Sequence, residues 1–225
     1  MNTVSFFSKT LPRLLTAVGL LVASSALQGG EITGFTWSSG IASVALDPIT
    51  MPTPDLNNDE VVGGSLNEIL VTQKDYIGNG PVDIEFTVKD SGGVTEYTIV
   101  EGIQNGTGGD WSDYHIQLGF GKGADFVPSP AGDGLDFDAP DYNSPALFAP
   151  FATVVVSEDD IDAYGGLIPS PSFTFPFVFN IDVPDGITAF TVRQYPTTDF
   201  IPEPSGALLA LLGVAITGAR FRRLK

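Results

Sequence analysis

The chain has no cysteine and a single histidine among its 225 residues. Without cysteine there is no disulfide scaffold, no thiolate metal site and no thiol nucleophile. With one histidine besides, a catalytic zinc would rest on carboxylates alone. Basic residues are also scarce: 10 Lys+Arg stand against 27 Asp+Glu, a formal net charge of −17. Their placement says more than their number. Residues 1–30 carry Lys9 and Arg13 and no acid, and residues 205–225 carry Arg220, Arg222, Arg223 and Lys225 and no acid. All 27 acids lie between, with only Lys74, Lys89, Lys122 and Arg193 for company. A segment so acidic repels phosphate backbones and argues against nucleic acid as a partner. Its 43% hydrophobic and 11% aromatic content argues equally against a disordered acidic tail.

The two ends read as export signals. Lys9 and Arg13 precede an apolar stretch from Leu14 to Ala26, which exits through Ser24-Ser25-Ala26, small residues of the kind signal peptidase accepts. The stretch is shorter than the ~20 residues of an ordinary spanning helix. Residues 1–26 are therefore expected to be a signal peptide. At the other end, Ile201-Pro202-Glu203-Pro204-Ser205 interrupts regular structure, because proline fixes φ and removes a backbone donor. Gly206 to Ala219 is then apolar on all sides, and Arg220, Arg222, Arg223 and Lys225 follow. A basic cluster directly after an apolar stretch holds that end on the cytoplasmic side. The expectation is a short membrane helix.

The order Pro-Glu-Pro-Ser, Leu/Ala/Gly-rich span and Arg-rich end resembles the PEP-CTERM sorting tail of Gram-negative bacteria. The resemblance covers residues 201–225, with Pro202, Glu203 and Pro204 as the recognition motif, 206–219 as the span and Arg220, Arg222 and Arg223 as the basic stop. It implies cleavage near the motif by an exosortase of the inner membrane, and hosts that make exopolysaccharide and biofilm. Three internal strings, Asp110–His115, Gly132–Phe137 and Phe190–Thr197, are similar to segments of other PEP-CTERM ectodomains of unassigned function.

Residues 31–198 are enough for one domain. Short runs of alternating hydrophobicity separated by Gly, Pro, Asn and Asp predict an all-β fold, a single two-sheet, jelly-roll-like sandwich. Phe173, Phe175, Phe177, Phe179, Ile181 and Val183 recur at period 2 and are expected to enter the core together. Pro176 predicts an edge strand or a bulge. Pro184-Asp185-Gly186 then predicts a hairpin with Ile187–Tyr195. Val82–Lys89 and Val94–Ile103 flank a Ser91-Gly92-Gly93 turn. Trp111–Phe120, Ile32–Trp37, Ile41–Leu46, Glu68–Thr72 and Phe151–Val156 complete the strand set, with long loops at 47–65 and 121–150.

Three acidic clusters invite a metal reading. Asp55, Asn57 and Asp59 occupy the first odd positions of a calcium loop, but Glu60 and Leu66 stand where that loop needs Gly and Glu. Asp133, Asp136, Asp138 and Asp141 form a second cluster, and Glu158, Asp159, Asp160 and Asp162 a third. No cofactor is expected, with calcium, a cation bound by oxygen donors, as the alternative. A solvated acidic surface is the plainer reading, since six to eight oxygens must converge on one point.

His115 shares a strand face with Asp113, where both would be partly solvated, unlike the buried orienting carboxylate of a catalytic triad. Trp111 and Trp37 are candidate platforms for a sugar ring; the alternative for Trp111 is a lid on the core. Carboxylate pairs for glycoside hydrolysis carry no signal where 27 acids are present. Asn105-Gly106-Thr107 marks a surface turn.

Together these residues predict a non-enzymatic, exported structural or binding module. It would be handled by signal peptidase and exosortase, held briefly in the membrane, and left at the cell surface or in extracellular polysaccharide. A carbohydrate-binding module using Trp111 or Trp37, or a carboxylate-based glycoside hydrolase, are the alternatives.

Overall fold

The computed structural model describes residues 30–39, 42–47, 54–58, 67–138 and 146–198. These form an all-β fold of two packed sheets, as the alternating runs predict. The signal segment, the Pro202–Pro204 motif, the 206–219 span and Arg220, Arg222 and Arg223 lie outside the described residues.

The strands are β1 (Gly30–Ser38), β2 (Ala42–Asp47), β3 (Glu68–Tyr76), β4 (Val82–Asp90), β5 (Val94–Asn105), β6 (Trp111–Phe120), β7 (Val127–Pro128), β8 (Leu147–Phe148), β9 (Thr153–Val156), β10 (Asp160–Ile168), β11 (Ser172–Pro184) and β12 (Ala189–Thr197). One sheet runs β1-β4-β12-β6-β10-β9, with β7 on β6; the other runs β2-β3-β5-β11-β8. All pairings are antiparallel except β3 with β5.

The core is made by the inward faces of both sheets. Val82, Ile84, Phe86 and Val88 of β4 are buried, as are Phe177, Phe179, Ile181 and Val183 of β11. Alternation explains this, because side chains of like parity leave a strand on one side. The same parity fails for Phe173 and Phe175, which are half exposed. A register shift between Thr174 and Phe177 brackets Pro176, and the inward face begins only after it. Pro176 thus marks a bulge, and it cuts the expected six-residue inward face to four.

The predicted hairpin is also corrected. β11 pairs with β5 and β8, whereas β12 pairs with β4 and β6. Pro184-Asp185-Gly186 is an arch from one sheet to the other. The Ser91-Gly92-Gly93 turn does the same between β4 and β5. β10 is a strand that the acid-rich reading of 158–162 hid; its Ile161 and Ala163 are buried.

Candidate functional site

The outer face of the larger sheet carries the first polar group. His115 on β6 lies opposite Asp162 on β10 and Tyr195 on β12. Its Nδ1 is 2.6 Å from Asp162 Oδ1, its Nε2 is 3.7 Å from Asp113 Oδ1, and its ring stacks on Tyr195 at 5.0 Å between centroids. Both nitrogens therefore face carboxylates on the sheet surface. Beside it, Gln117 donates to Asp160 at 2.9 Å, and Thr197 donates to Asp113.

Further along β12, Arg193 grips Asp83 of β4 bidentately, at 2.7 and 2.8 Å. Its guanidinium also donates to the Gly123 carbonyl at 2.7 Å and lies 3.8 Å above the Phe126 ring. The fork geometry of arginine suits all three contacts at once.

Trp111 does not reach solvent. The alternation of β6 breaks between Trp111 and Tyr114, opposite a register shift in β10, so both side chains turn inward. The indole is fully buried, donates to Thr107 Oγ1 at 3.1 Å and meets Tyr76 edge-on at 5.2 Å. A buried indole offers no face to a sugar, so Trp111 is withdrawn as a stacking platform. Trp37 is different. It sits on the edge strand β1 with 39% of its surface exposed, two residues from Phe35 at 37%.

The acidic candidates separate. Asp55 and Asn57 are exposed and bond through their backbone N–H groups, to Asn67 and Thr95. Asp133 accepts from Ser129 at 2.8 Å and from the Leu135 N–H at 3.0 Å, a local turn. Asp59 and Asp141 lie outside the described residues. Asp136 and Asp138 are buried, and Asp136 bridges Asp182, which in turn lies opposite Glu96. Loop 54–58 docks on the same strand, where Asn58 and Asn67 bond to the Glu96 backbone. Parts of two clusters thus approach one stretch of β5 and β11. Among the described residues, no three His, Asp or Glu side chains stand where they could hold a metal ion.

The densest polar group lies inside the sandwich. Lys74 of β3, Glu101 of β5, and Tyr114 and Gln194 of β6 and β12 are all fully buried. Lys74 Nζ is 2.7 Å from Glu101 Oε2 and 3.3 Å from Tyr114 Oη, and it contacts Gln194 Oε1. Gln194 Nε2 donates to Glu101 Oε1 at 2.8 Å. The Tyr114 hydroxyl donates to Gln194 Oε1 at 2.9 Å and lies 2.9 Å from the Tyr76 hydroxyl. Burial pushes the Lys74 ammonium below its ordinary value, against the opposing pull of Glu101. Burial likewise pushes both tyrosines up, so they remain neutral donors. Parity could have flagged Glu101 and Gln194, which occupy inward positions after Tyr97-x-Ile99 and Phe190-x-Val192. A register shift between Val71 and Lys74 concealed the third partner.

No family model matches the chain, and neither does any curated protein or solved structure. Among the described residues, no helix is long and apolar enough to cross a membrane.

Proposed function

We propose that the chain is an exported, exosortase-processed protein of a Gram-negative cell surface or extracellular matrix, and that its sandwich is a non-enzymatic structural or binding module linked to exopolysaccharide. The order of the C-terminal residues carries this reading: Pro202-Glu203-Pro204, the apolar 206–219, then Arg220, Arg222 and Arg223. Signal peptidase would remove 1–26, and the apolar span would anchor the chain until cleavage. The sandwich, jelly-roll-like apart from its parallel β3–β5 pair, would be the part left outside. The acids held between the two basic ends suit a soluble cargo that must stay dispersed. Deleting Pro202–Lys225, or removing the host exosortase, is expected to change the mature mass and the location of the protein. Unchanged mass and location would refute the sorting role.

A second reading is a carbohydrate-binding module, and Trp37 with Phe35 on the edge strand favours it. Aromatic faces on an open strand can stack on sugar rings. Trp37→Ala is then expected to abolish binding on a glycan array, and wild-type protein that binds no polysaccharide would count against it.

A further inference from the structure

A buried Lys–Glu pair is a poor way to stabilise a core. The desolvation of two charges commonly exceeds their attraction, and apolar residues of similar volume do as well or better. The arrangement around Lys74 instead has the parts of an acyl-transfer reaction. We propose that the chain closes an intramolecular isopeptide bond between Lys74 and Gln194, joining the two sheets.

Each part has an assigned place. The nucleophile is the Lys74 amine, which must be neutral to attack; burial favours that form. The electrophile is the Gln194 side-chain amide, whose oxygen touches Nζ. Glu101 bridges the two reacting nitrogens, with Oε2 on Lys74 Nζ at 2.7 Å and Oε1 on Gln194 Nε2 at 2.8 Å. One carboxylate can thus take a proton from the incoming nitrogen and hand it to the departing one. Negative charge developing on Oε1 meets the Tyr114 hydroxyl at 2.9 Å, itself supported by the Tyr76 hydroxyl at 2.9 Å. All these side chains are fully buried, so water neither competes as nucleophile nor screens the charges.

The step balances without any co-reactant. The Nζ lone pair forms a bond to Gln194 Cδ, and the carbonyl π electrons move to Oε1. As the carbonyl re-forms, the bond from Cδ to Nε2 breaks, and the former amide nitrogen leaves as ammonia with protons relayed through Glu101. One secondary amide replaces one amine and one primary amide, with no oxidation or reduction. Packing holds the groups in contact, which supplies the proximity such a reaction needs. Glu101 could itself be the acyl group, but attack there would expel water and remove the proton relay. The hydrogen bond from Tyr114 to Gln194 Oε1 points to the glutamine.

The test is a peptide map by tandem mass spectrometry of folded full-length protein, digested under denaturing conditions. The expected product is one branched peptide joining the Lys74 and Gln194 segments, lighter than their sum by one ammonia. Glu101→Gln is expected to leave both segments separate, and Lys74→Arg likewise, since a guanidinium does not attack. Separate, unmodified segments from folded wild-type chain would overturn the proposal, even if the variants fail to fold. So would a link from Lys74 to Glu101 with loss of water. Equal linkage in folded Glu101→Gln would overturn the relay.

Discussion

The Asp185 carboxylate, in the arch from β11 to β12, accepts the backbone N–H of Ser91, in the arch from β4 to β5, at 2.8 Å. It also accepts the Gly92 N–H at 3.1 Å, while the Gly186 N–H donates to Asp90 Oδ1 at 3.1 Å. These two of the segments that cross between the sheets therefore cap each other. Charge-assisted bonds to backbone donors are stronger than neutral ones. Asp185→Ala is expected to cost about 1–2 kcal/mol in urea denaturation, with Asp185→Asn intermediate. An unchanged slope with a lower midpoint would assign the loss to the native state. A midpoint equal to wild type would show that the arches hold without the clasp.

Arg193 and Asp83 make a more asymmetric pair. The Asp83 side chain is 2% exposed and that of Arg193 is 16% exposed. Removing the arginine leaves a buried carboxylate with the Gly123 N–H at 2.6 Å but no counter-charge, whereas removing the aspartate leaves a guanidinium nearer to water that keeps the Gly123 carbonyl and Phe126. Arg193→Ala is therefore expected to cost about 3–5 kcal/mol and Asp83→Ala less. The double variant should cost less than the two summed, a coupling that a denaturation cycle measures directly. Additive losses would mean that the two side chains act independently.

The legible parts of the fold were those where hydrophobicity alternates without interruption. β4, β6 from Tyr114 onward and the second half of β11 announce themselves this way, because burial on one face enforces period 2. What the sequence concealed has physical causes. The bulge at Pro176 sends Phe173 and Phe175 to the surface, a shift that no parity count contains. Whether a turn closes a hairpin or arches between sheets depends on partners far away in the chain, so Pro184-Asp185-Gly186 misled. β10 was masked by its own outward carboxylates. Trp111 was legible only as a choice between two positions, and the irregularity opposite β10 made the choice. In the buried cluster, Glu101 and Gln194 break an apolar parity and were readable, whereas Lys74 follows a register shift and was not.

Asp159 gives the sandwich a pH dependence of definite sign. Its Oδ1 is buried without a hydrogen-bond partner, and Glu158, Asp133 and Asp160 surround it. Burial first, and those three carboxylates after it, push its pKa from the ordinary 3.8 up to about 6. The folded chain thus holds a proton that the unfolded chain has released. This contribution is fully present below the unfolded value and is lost as pH rises through about 6. Asp159→Asn is always neutral and is expected to melt above wild type at neutral pH, the gap closing as pH falls towards 4. Parallel melting curves across that range would remove Asp159 as the source.

Trp111 and Trp37 separate scaffold from surface in one experiment. The fully buried Trp111 packs on Tyr76 and Tyr114 and bonds to Thr107. Trp111→Ala opens a cavity between the sheets and is expected to cost about 3–5 kcal/mol. Thr107→Val removes the acceptor of the indole N–H together with the hydroxyl's bonds to Asn105 Oδ1 and the Gly109 backbone, and is expected to cost about 1–2 kcal/mol, less than Trp111→Ala. Trp37→Ala, on an edge strand and over a third exposed, is expected to stay within about 1 kcal/mol of wild type. Thermal melts of the three variants give the stability order, and retention on host polysaccharide gives the function. If Trp37 is a platform, its alanine variant keeps the wild-type midpoint and loses retention. A variant that keeps both would leave the exposed aromatic edge without a role in polysaccharide binding.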